Sequence, residues 1–134
     1  MRHVKISKKE LTNVAKLYES VMSNASHGLF FREGSVLGAE IAELAEKERE
    51  KFFEIAKKEL VERGWVEDVK FDDGKVTVKG SIEVSKGEQP TCDRLRGILR
   101  HLYEVYRNEK VYLTEKKCVS LGDDACIFNI EPID

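Results

Sequence analysis

The sequence is short of several features, and each shortage excludes a class of protein. It has only three cysteines in 134 residues, which cannot all pair within one chain, and a chain of this length buries a core without disulfides. No segment approaches the ~18 consecutive apolar residues of a membrane-spanning helix. The N-terminus MRHVKISKKE lacks the apolar centre of a signal peptide. We therefore expect a cytoplasmic protein whose thiols stay reduced and either bind a metal or are buried.

Charge of one sign is not in excess. Charged residues make up 36% of the chain, yet the net charge is −2 and the two signs are interleaved. Because a nucleic-acid-binding surface needs a basic excess on one face, we expect no direct contact with nucleic acid. Glutamine occurs once, at Gln89, while lysine and glutamate are abundant, which is typical of proteins from thermophiles.

Four segments have the apolar periodicity of helices. A capping box formed by Ser7 and Glu10 precedes the first of them. The predicted helices cover about 8–23, 29–45, 46–63 and 92–107, with a break at 24–28 and a stop at Gly64. Gly34 and Gly38 weaken the prediction for the second helix, since glycine is a poor helix former.

Two further pairs of segments read as β-hairpins. Residues 65–71 and 75–84 flank a turn at 72–74, and residues 111–120 and 125–131 flank a turn at 121–124. A polar loop at 86–90 separates the first hairpin from the last helix. The sequence therefore predicts one α+β domain over 1–134, with an antiparallel sheet of about four strands packed with helices.

All three cysteines lie in the last third of the chain, together with one glutamate, in the pattern C-x22-E-x2-C-x7-C. The four residues are Cys92, Glu115, Cys118 and Cys126. Thiolate sulfur and carboxylate oxygen are both ordinary zinc ligands, so these residues could form a tetrahedral shell. A shell filled by four protein ligands would be structural rather than catalytic. The alternative is that the cysteines are small core residues and Glu115 is a solvated strand residue.

The zinc interpretation makes a geometric demand. Cys118 and Cys126 would lie opposite each other on adjacent strands, with Cβ atoms about 5 Å apart. Glu115 lies three residues before Cys118 and would face the other side of a regular strand, so the strand must bulge or bend near 116–117. Cys92 is predicted in the first turn of its helix, where the helix dipole favours the thiolate.

A histidine could replace one of these ligands. His101 lies nine residues beyond Cys92 on the same predicted helix, roughly 13 Å along its axis at about 1.5 Å per residue, which is too far to share an ion. His3 and His27 remain alternatives.

The C-terminal pattern E-x2-C-x3-G-D-x2-C-x-F, together with CDRLRGIL at 92–99, resembles the 4-vinyl-reductase-type domain, also called hydrocarbon-binding. The upstream segment 31–38, which carries two glycines, matches that family more loosely. The resemblance covers about 24–131 and leaves 1–23 as an N-terminal helical extension.

The resemblance implies a fold, a metal and a class of ligand. The family includes sensor domains of phenol-responsive transcription activators, proteins linked to bacteriochlorophyll synthesis and free-standing archaeal proteins, and its fold is shared with vesicle-tethering TRAPP subunits. In the phenol sensors, three cysteines and a glutamate hold zinc. Those positions match Cys92, Glu115, Cys118 and Cys126 here, so the resemblance implies a structural Zn²⁺ site beside an aromatic-effector pocket.

The function favoured by the resemblance is binding or sensing of a hydrophobic or aromatic small molecule. Large apolar residues could line the pocket, and the tryptophan and tyrosines among them have polar groups that could orient a ligand. The candidates are Phe30, Phe31, Trp65, Leu99, Tyr103 and Tyr106. The alternative for each is an ordinary place in the core.

Two other functions stay open. The family name suggests a vinyl reductase, or its accessory protein, acting on a tetrapyrrole, but the sequence contains no nucleotide-binding motif and no nucleophile–base pair, so we predict no catalytic residue. Arg94, Arg96 and Arg100 recur along one helix and could contact carboxylates or simply form a solvated face. The third possibility is a homodimeric interaction scaffold, with the apolar segment 29–44 as a self-complementary surface.

Overall fold

A computed structural model describes residues 2–83, 92–117 and 125–133. Its helices are α1 (Lys8–Met22), α2 (Ala25–Glu46), α3 (Phe52–Glu62) and α4 (Asp93–Arg107), with a short 3-10 helix at Arg49–Lys51. Its strands are β1 (Asp68–Phe71), β2 (Lys75–Lys79), β3 (Val111–Lys117) and β4 (Cys126–Pro132). The predicted loop at 86–90 and turn at 121–124 lie outside the described residues.

The four strands form one antiparallel sheet in the order β1-β2-β4-β3. The predicted α+β fold is therefore confirmed. β2 and β4 occupy the centre and pair directly, with Val76 opposite Phe128 and Val78 opposite Cys126. All four of these side chains are completely buried. This central pairing brings the second hairpin, which carries three of the four predicted metal ligands, against the first.

Two predicted helix boundaries are wrong. The break at 24–28 is confined to Ser23 and Asn24, because Ser23 adopts a positive φ of 52° and α2 begins at Ala25. The helix predicted at 46–63 begins only at Phe52. The preceding segment 47–51 consists of charged residues and therefore offers no apolar side chain to hold a helix against the core. The arms of the first hairpin are also shorter than predicted.

α1 begins with the predicted capping box, in which the Ser7 hydroxyl accepts from the Glu10 amide and the Glu10 carboxylate accepts from the Ser7 amide, each at 3.1 Å. No residue of α1 is buried. Its Tyr18 ring packs against Phe30 of α2, with ring centroids 5.7 Å apart. Within the described residues, no helix combines the length and apolar character needed to cross a membrane.

α2 and α4 cross with their backbones in direct contact. A Cβ atom added at Gly34 would lie 2.0 Å from the carbonyl oxygen of Arg94, and one added at Gly97 would lie 2.1 Å from that of Phe31. Only glycine allows such an approach. The crossing places the beginning of α4 firmly against α2, and α4 in turn carries Cys92 at its N-terminus.

Candidate metal centre

Three of the four predicted metal ligands come together. One ligand atom each from Cys92, Glu115 and Cys126 lies within 4.8 Å of the others. The two sulfur atoms are 3.6 Å apart, and both cysteines are completely buried. Glu115 is half-buried. Cys118, the predicted fourth ligand, lies outside the described residues.

Each ligand is positioned by a different element. Cys92 is the N-cap residue of α4, so its sulfur lies at the positive end of the helix dipole, which favours the thiolate. Cys126 begins β4 opposite Val78 of β2. Glu115 belongs to the edge strand β3. The candidate site therefore joins a helix to two strands that are remote from it in sequence.

The bulge predicted in β3 is present. Glu115 pairs with Phe128, and Lys117 pairs with the adjacent residue Ile127. Two steps along β3 therefore match one step along β4, and Lys116 is an extra residue in the ladder. Because successive side chains of a strand alternate between faces, one extra residue moves the following side chains to the opposite face. The strand thus has, between Glu115 and Lys117, the irregularity that the zinc interpretation demands.

The distances fit a metal better than a disulfide. Two thiolates that share a tetrahedral zinc, with Zn–S bonds of about 2.3 Å, lie about 3.8 Å apart. The observed separation of 3.6 Å is close to that value and far from the ~2.05 Å of a disulfide. Two thiols and a carboxylate are also the donor types that zinc prefers. The residues present therefore fit a zinc ion.

The histidines occupy other places. His27 contacts Asp93, with 2.5 Å between Nδ1 and Oδ2, and is not part of the cluster of potential ligands found among the described residues. His3 is exposed near the N-terminus. His101 is half-buried on α4, and burial lowers its pKa.

Ser81 is a neighbour of the cluster that sequence reasoning missed. Its hydroxyl oxygen lies 3.3 Å from the Cys92 sulfur, and the residue is buried. A hydroxyl in this position can donate to a thiolate and so orient a metal ligand. The only signal in the sequence was the position of Ser81 directly after Gly80, where the alternating apolar and polar pattern of β2 ends.

Glu83 caps α4 from outside the helix. Its carboxylate accepts hydrogen bonds from the backbone amides of Arg94 at 3.2 Å and Leu95 at 2.8 Å. The Arg94 guanidinium lies between two acids, donating to Glu33 at 3.0 Å and lying 3.6 Å from Glu83. Burial raises the pKa of Glu83 to about 7, and the two amides and Arg94 only partly oppose it.

This raised pKa predicts a pH-dependent stability. The folded state holds the Glu83 proton up to about pH 7, while the unfolded chain releases it near 4.5. Stability from this group is therefore complete below about pH 4.5 and is lost as pH rises through 7. At ~1.4 kcal/mol per pKa unit, the loss is roughly 3 kcal/mol. We expect Glu83→Gln, measured by urea unfolding, to become more stable relative to wild type between pH 5 and pH 8; a pH-independent difference would contradict this.

Among the described residues, the six predicted pocket residues make three kinds of contact. Tyr103 and Tyr106 contact Phe53, with ring centroids 4.9 and 4.8 Å away, and Phe71 joins the same group. Leu99 is completely buried in the core, where Trp65 packs against its edge. The other two candidates lie against α4 on its α2 side, where each contacts an arginine. These are Phe30, with Arg94, and Phe31, with Arg96 and Arg100.

The chain shares its fold with three solved structures. The phenol-responsive sensory domain of the transcription activator PoxR, crystallised with phenol, superposes with a TM-score of 0.84 at 19% identity, covering 98% of this chain and 77% of that one. A vinyl-4-reductase family protein from Methanocaldococcus jannaschii gives 0.70 at 22% identity, covering 99% and 85%. A trafficking protein particle complex subunit 3 from Naegleria fowleri, covalently bound to palmitic acid, gives 0.57 at 12%, covering 96% and 98%.

These similarities define an α+β protein with the fold of vinyl-4-reductase and TRAPP-type proteins. In sequence, residues 75–132 match the V4R domain. The predicted family resemblance is thereby confirmed over a segment narrower than 24–131, and this segment contains every predicted metal ligand. No curated protein sequence gives a significant match.

Proposed function

We propose that this chain is a ligand-binding sensor module for a hydrophobic or aromatic small molecule, built around a structural zinc site. The observation that carries the proposal is the convergence of Cys92, Glu115 and Cys126 from three separate elements within the matched V4R segment. The structural similarity to a phenol-responsive sensory domain supports the ligand class.

In this proposal, Cys92, Glu115 and Cys126 hold zinc, and Cys118 completes the shell. The ion supplies a cross-link that the hydrophobic core alone does not provide, since it joins the start of α4 to β3 and β4. With four protein ligands no position stays open for a substrate, which favours a structural role. Ser81 would orient the Cys92 sulfur through its hydroxyl group.

The aromatic group around Tyr103 is the favoured place for the ligand. Phe53, Phe71, Tyr103 and Tyr106 pack in direct contact between α3, β1 and α4. The Tyr103 hydroxyl donates to the carbonyl oxygen of Asp72 at 2.8 Å, and burial raises its pKa. A flat aromatic ligand that inserts among these rings would exchange one ring contact for another, and the carbonyl of Asp72 offers it a hydrogen-bond acceptor.

Fluorescence tests this ligand class, because Trp65 is the single tryptophan and packs at the edge of the same core. We expect phenols and related aromatics to cause a saturable change in the emission of Trp65. Phe53→Ala should raise the dissociation constant obtained from that change at least tenfold. Free tryptophan under the same conditions controls for collisional quenching. A linear, non-saturating response across a broad panel would contradict the proposal.

We also propose that the module is a homodimer through α1 and the adjoining face of α2. Most of the large apolar side chains exposed on the described part of the chain lie between residues 4 and 37. On α1, Val14, Leu17 and Val21 are exposed and follow the 3-4 spacing of a helix-pairing seam. A second copy of the chain can cover such a seam, because pairing two identical faces buries both.

Light scattering at micromolar concentration is expected to give the mass of a dimer, near twice the 15.4 kDa of one chain. Val14→Glu places a charge in the seam and should shift the mass toward one chain. Asn13→Glu, at an exposed position beside the seam, serves as the control. A monomeric wild-type protein would rule out the dimer.

A further inference from the structure

A groove runs along the junction of α2 and α4, beside their close crossing. It has a volume of about 430 Å³ and is lined by Ala39, Ala42, Glu43, Glu46, Lys47, His101 and Val105. This volume lies within the ~300–1,000 Å³ typical of small-molecule sites. Alanine and valine side chains give the groove an apolar floor, and charged residues stand at one end.

Two arginines of α4 stack on one ring of α2 near the other end of the groove. The guanidinium carbons of Arg96 and Arg100 lie 4.1 and 4.5 Å from the centroid of Phe31. Two like charges four residues apart on a helix repel each other, and the ring partly offsets that repulsion through cation–π contact. Both side chains keep access to solvent, with 27% and 33% of their surfaces exposed.

This guanidinium pair makes few hydrogen bonds among the described residues. Arg100 donates to the Ser35 hydroxyl at 3.1 Å, but its Nε is buried without a hydrogen-bond partner there. The nearest carboxylates are those of Asp93, 3.8 Å from Arg96, and Glu104, 3.9 Å from Arg100. These separations exceed hydrogen-bond length. The pair therefore retains donors for an additional anion.

By contrast, two other arginines of the chain are committed to carboxylates. Arg94 donates to Glu33 at 3.0 Å, and Arg63 donates to Glu40 and Glu59 at 3.0 Å each. Arg96 and Arg100 differ from these two arginines because, among the described residues, neither has a carboxylate within hydrogen-bond distance.

The guanidinium pair and the groove are neighbours along the same seam. Ser35 precedes Ala39 by four residues on α2, which is about 6 Å along the helix, and Arg100 directly precedes His101 on α4. Glu43 and Glu46 lie farther along α2 and repel an anionic group. Burial lowers the pKa of His101, so its neutral ring adds to the uncharged wall.

We propose that this seam binds an amphipathic carboxylate, whose carboxylate lies on Arg96 and Arg100 and whose apolar body occupies the groove. Guanidinium groups match carboxylates through paired N–H donors, and the apolar floor selects against small hydrophilic anions. The site is separate from the aromatic group around Tyr103, so it adds a second ligand class to the proposed sensor.

Isothermal titration of the full chain with octanoate tests the proposal. We expect saturable binding of one octanoate per chain, at least tenfold weaker binding for Arg96→Gln and for Arg100→Gln, and no change for Arg107→Gln. Arg107 is the matched control. It lies on the same helix, and its guanidinium carbon also stacks on an aromatic ring, 5.4 Å from the centroid of Tyr103. Ala39→Phe, which fills the groove from an exposed position, should weaken octanoate as well.

Three results would overturn the proposal. Octanoate could fail to bind at millimolar concentration, bind both arginine variants as tightly as wild type, or bind no better than acetate and octanamide, which lack the tail and the charge respectively. Circular dichroism melting of each variant checks that it folds. The response of Trp65 to phenols should persist in Arg96→Gln and Arg100→Gln, so failure here is distinguishable from failure of the aromatic-sensor proposal.

Discussion

Untagged protein is expected to contain about one zinc ion per chain, and Cys126→Ser is expected to contain none. The Cys126 sulfur lies 3.6 Å from that of Cys92, and a serine hydroxyl does not replace a thiolate as a zinc ligand at neutral pH. Because metal binding to such a site is coupled to folding, the variant should lose at least about 3 kcal/mol of stability, or roughly 10 °C in melting temperature.

Elemental mass spectrometry and thermal unfolding measure both quantities on the same samples. Cys118→Ser should behave like Cys126→Ser if position 118 completes the shell. Ser81→Ala is the graded control, since loss of an orienting hydroxyl should weaken zinc binding about tenfold without abolishing it. Wild-type protein free of metal would make the cysteines ordinary core residues, and a Cys126→Ser variant that keeps zinc would exclude Cys126 from the shell.

Gly34→Ala and Gly97→Ala are expected to destabilise the fold severely, each by about 3 kcal/mol or more. The added methyl group would lie 2.0 Å from the Arg94 carbonyl oxygen in the first variant and 2.1 Å from that of Phe31 in the second. Both obstacles are backbone atoms, so no side-chain rotation relieves the overlap and the helices must separate. Urea unfolding followed by circular dichroism gives the free-energy change.

Gly28→Ala is the matched control on the same helix. A Cβ at Gly28 meets no atom within 4 Å. The substitution should therefore raise the free energy of unfolding by ~1 kcal/mol, the amount by which alanine exceeds glycine in helix propensity. Gly38→Ala, whose Cβ would lie 3.1 Å from Ile98, should fall between the extremes. Equal effects at positions 28 and 34 would show that propensity, and not the close crossing, governs this helix.

The glycines of α2 also illustrate a limit of sequence reasoning. Gly34 and Gly38 weakened the prediction of a helix because glycine lowers intrinsic helix stability. In the structure they lie inside α2, where the absence of a side chain lets α4 approach. The benefit depends on a partner helix about 60 residues later in the chain, and propensity in a local window contains no information about such a partner.

The cluster of candidate metal ligands was predicted more completely than the position of a ligand. The three-residue spacing of Glu115 and Cys118 predicted a bulge near 116–117, and the structure has one. Cys118 remains a prediction. The six pocket residues were chosen because they are large and apolar or aromatic, properties that core residues share. Leu99 and Tyr103 belong to the core and Trp65 packs against it, whereas Phe30 and Phe31 contact arginines of α4.

The α+β class, the four helical and four strand segments, and the candidate zinc ligands could all be predicted from the sequence, because periodicity, turn residues and ligand chemistry are local properties. Only the tertiary structure decided the strand order β1-β2-β4-β3 and the contact of the α2 and α4 backbones. It also decided the hydrogen bonds of Ser81 and Glu83 at the start of α4 and the stacking of Arg96 and Arg100 on Phe31. Each of these joins residues remote in sequence, and such pairs are selected only when the whole chain packs.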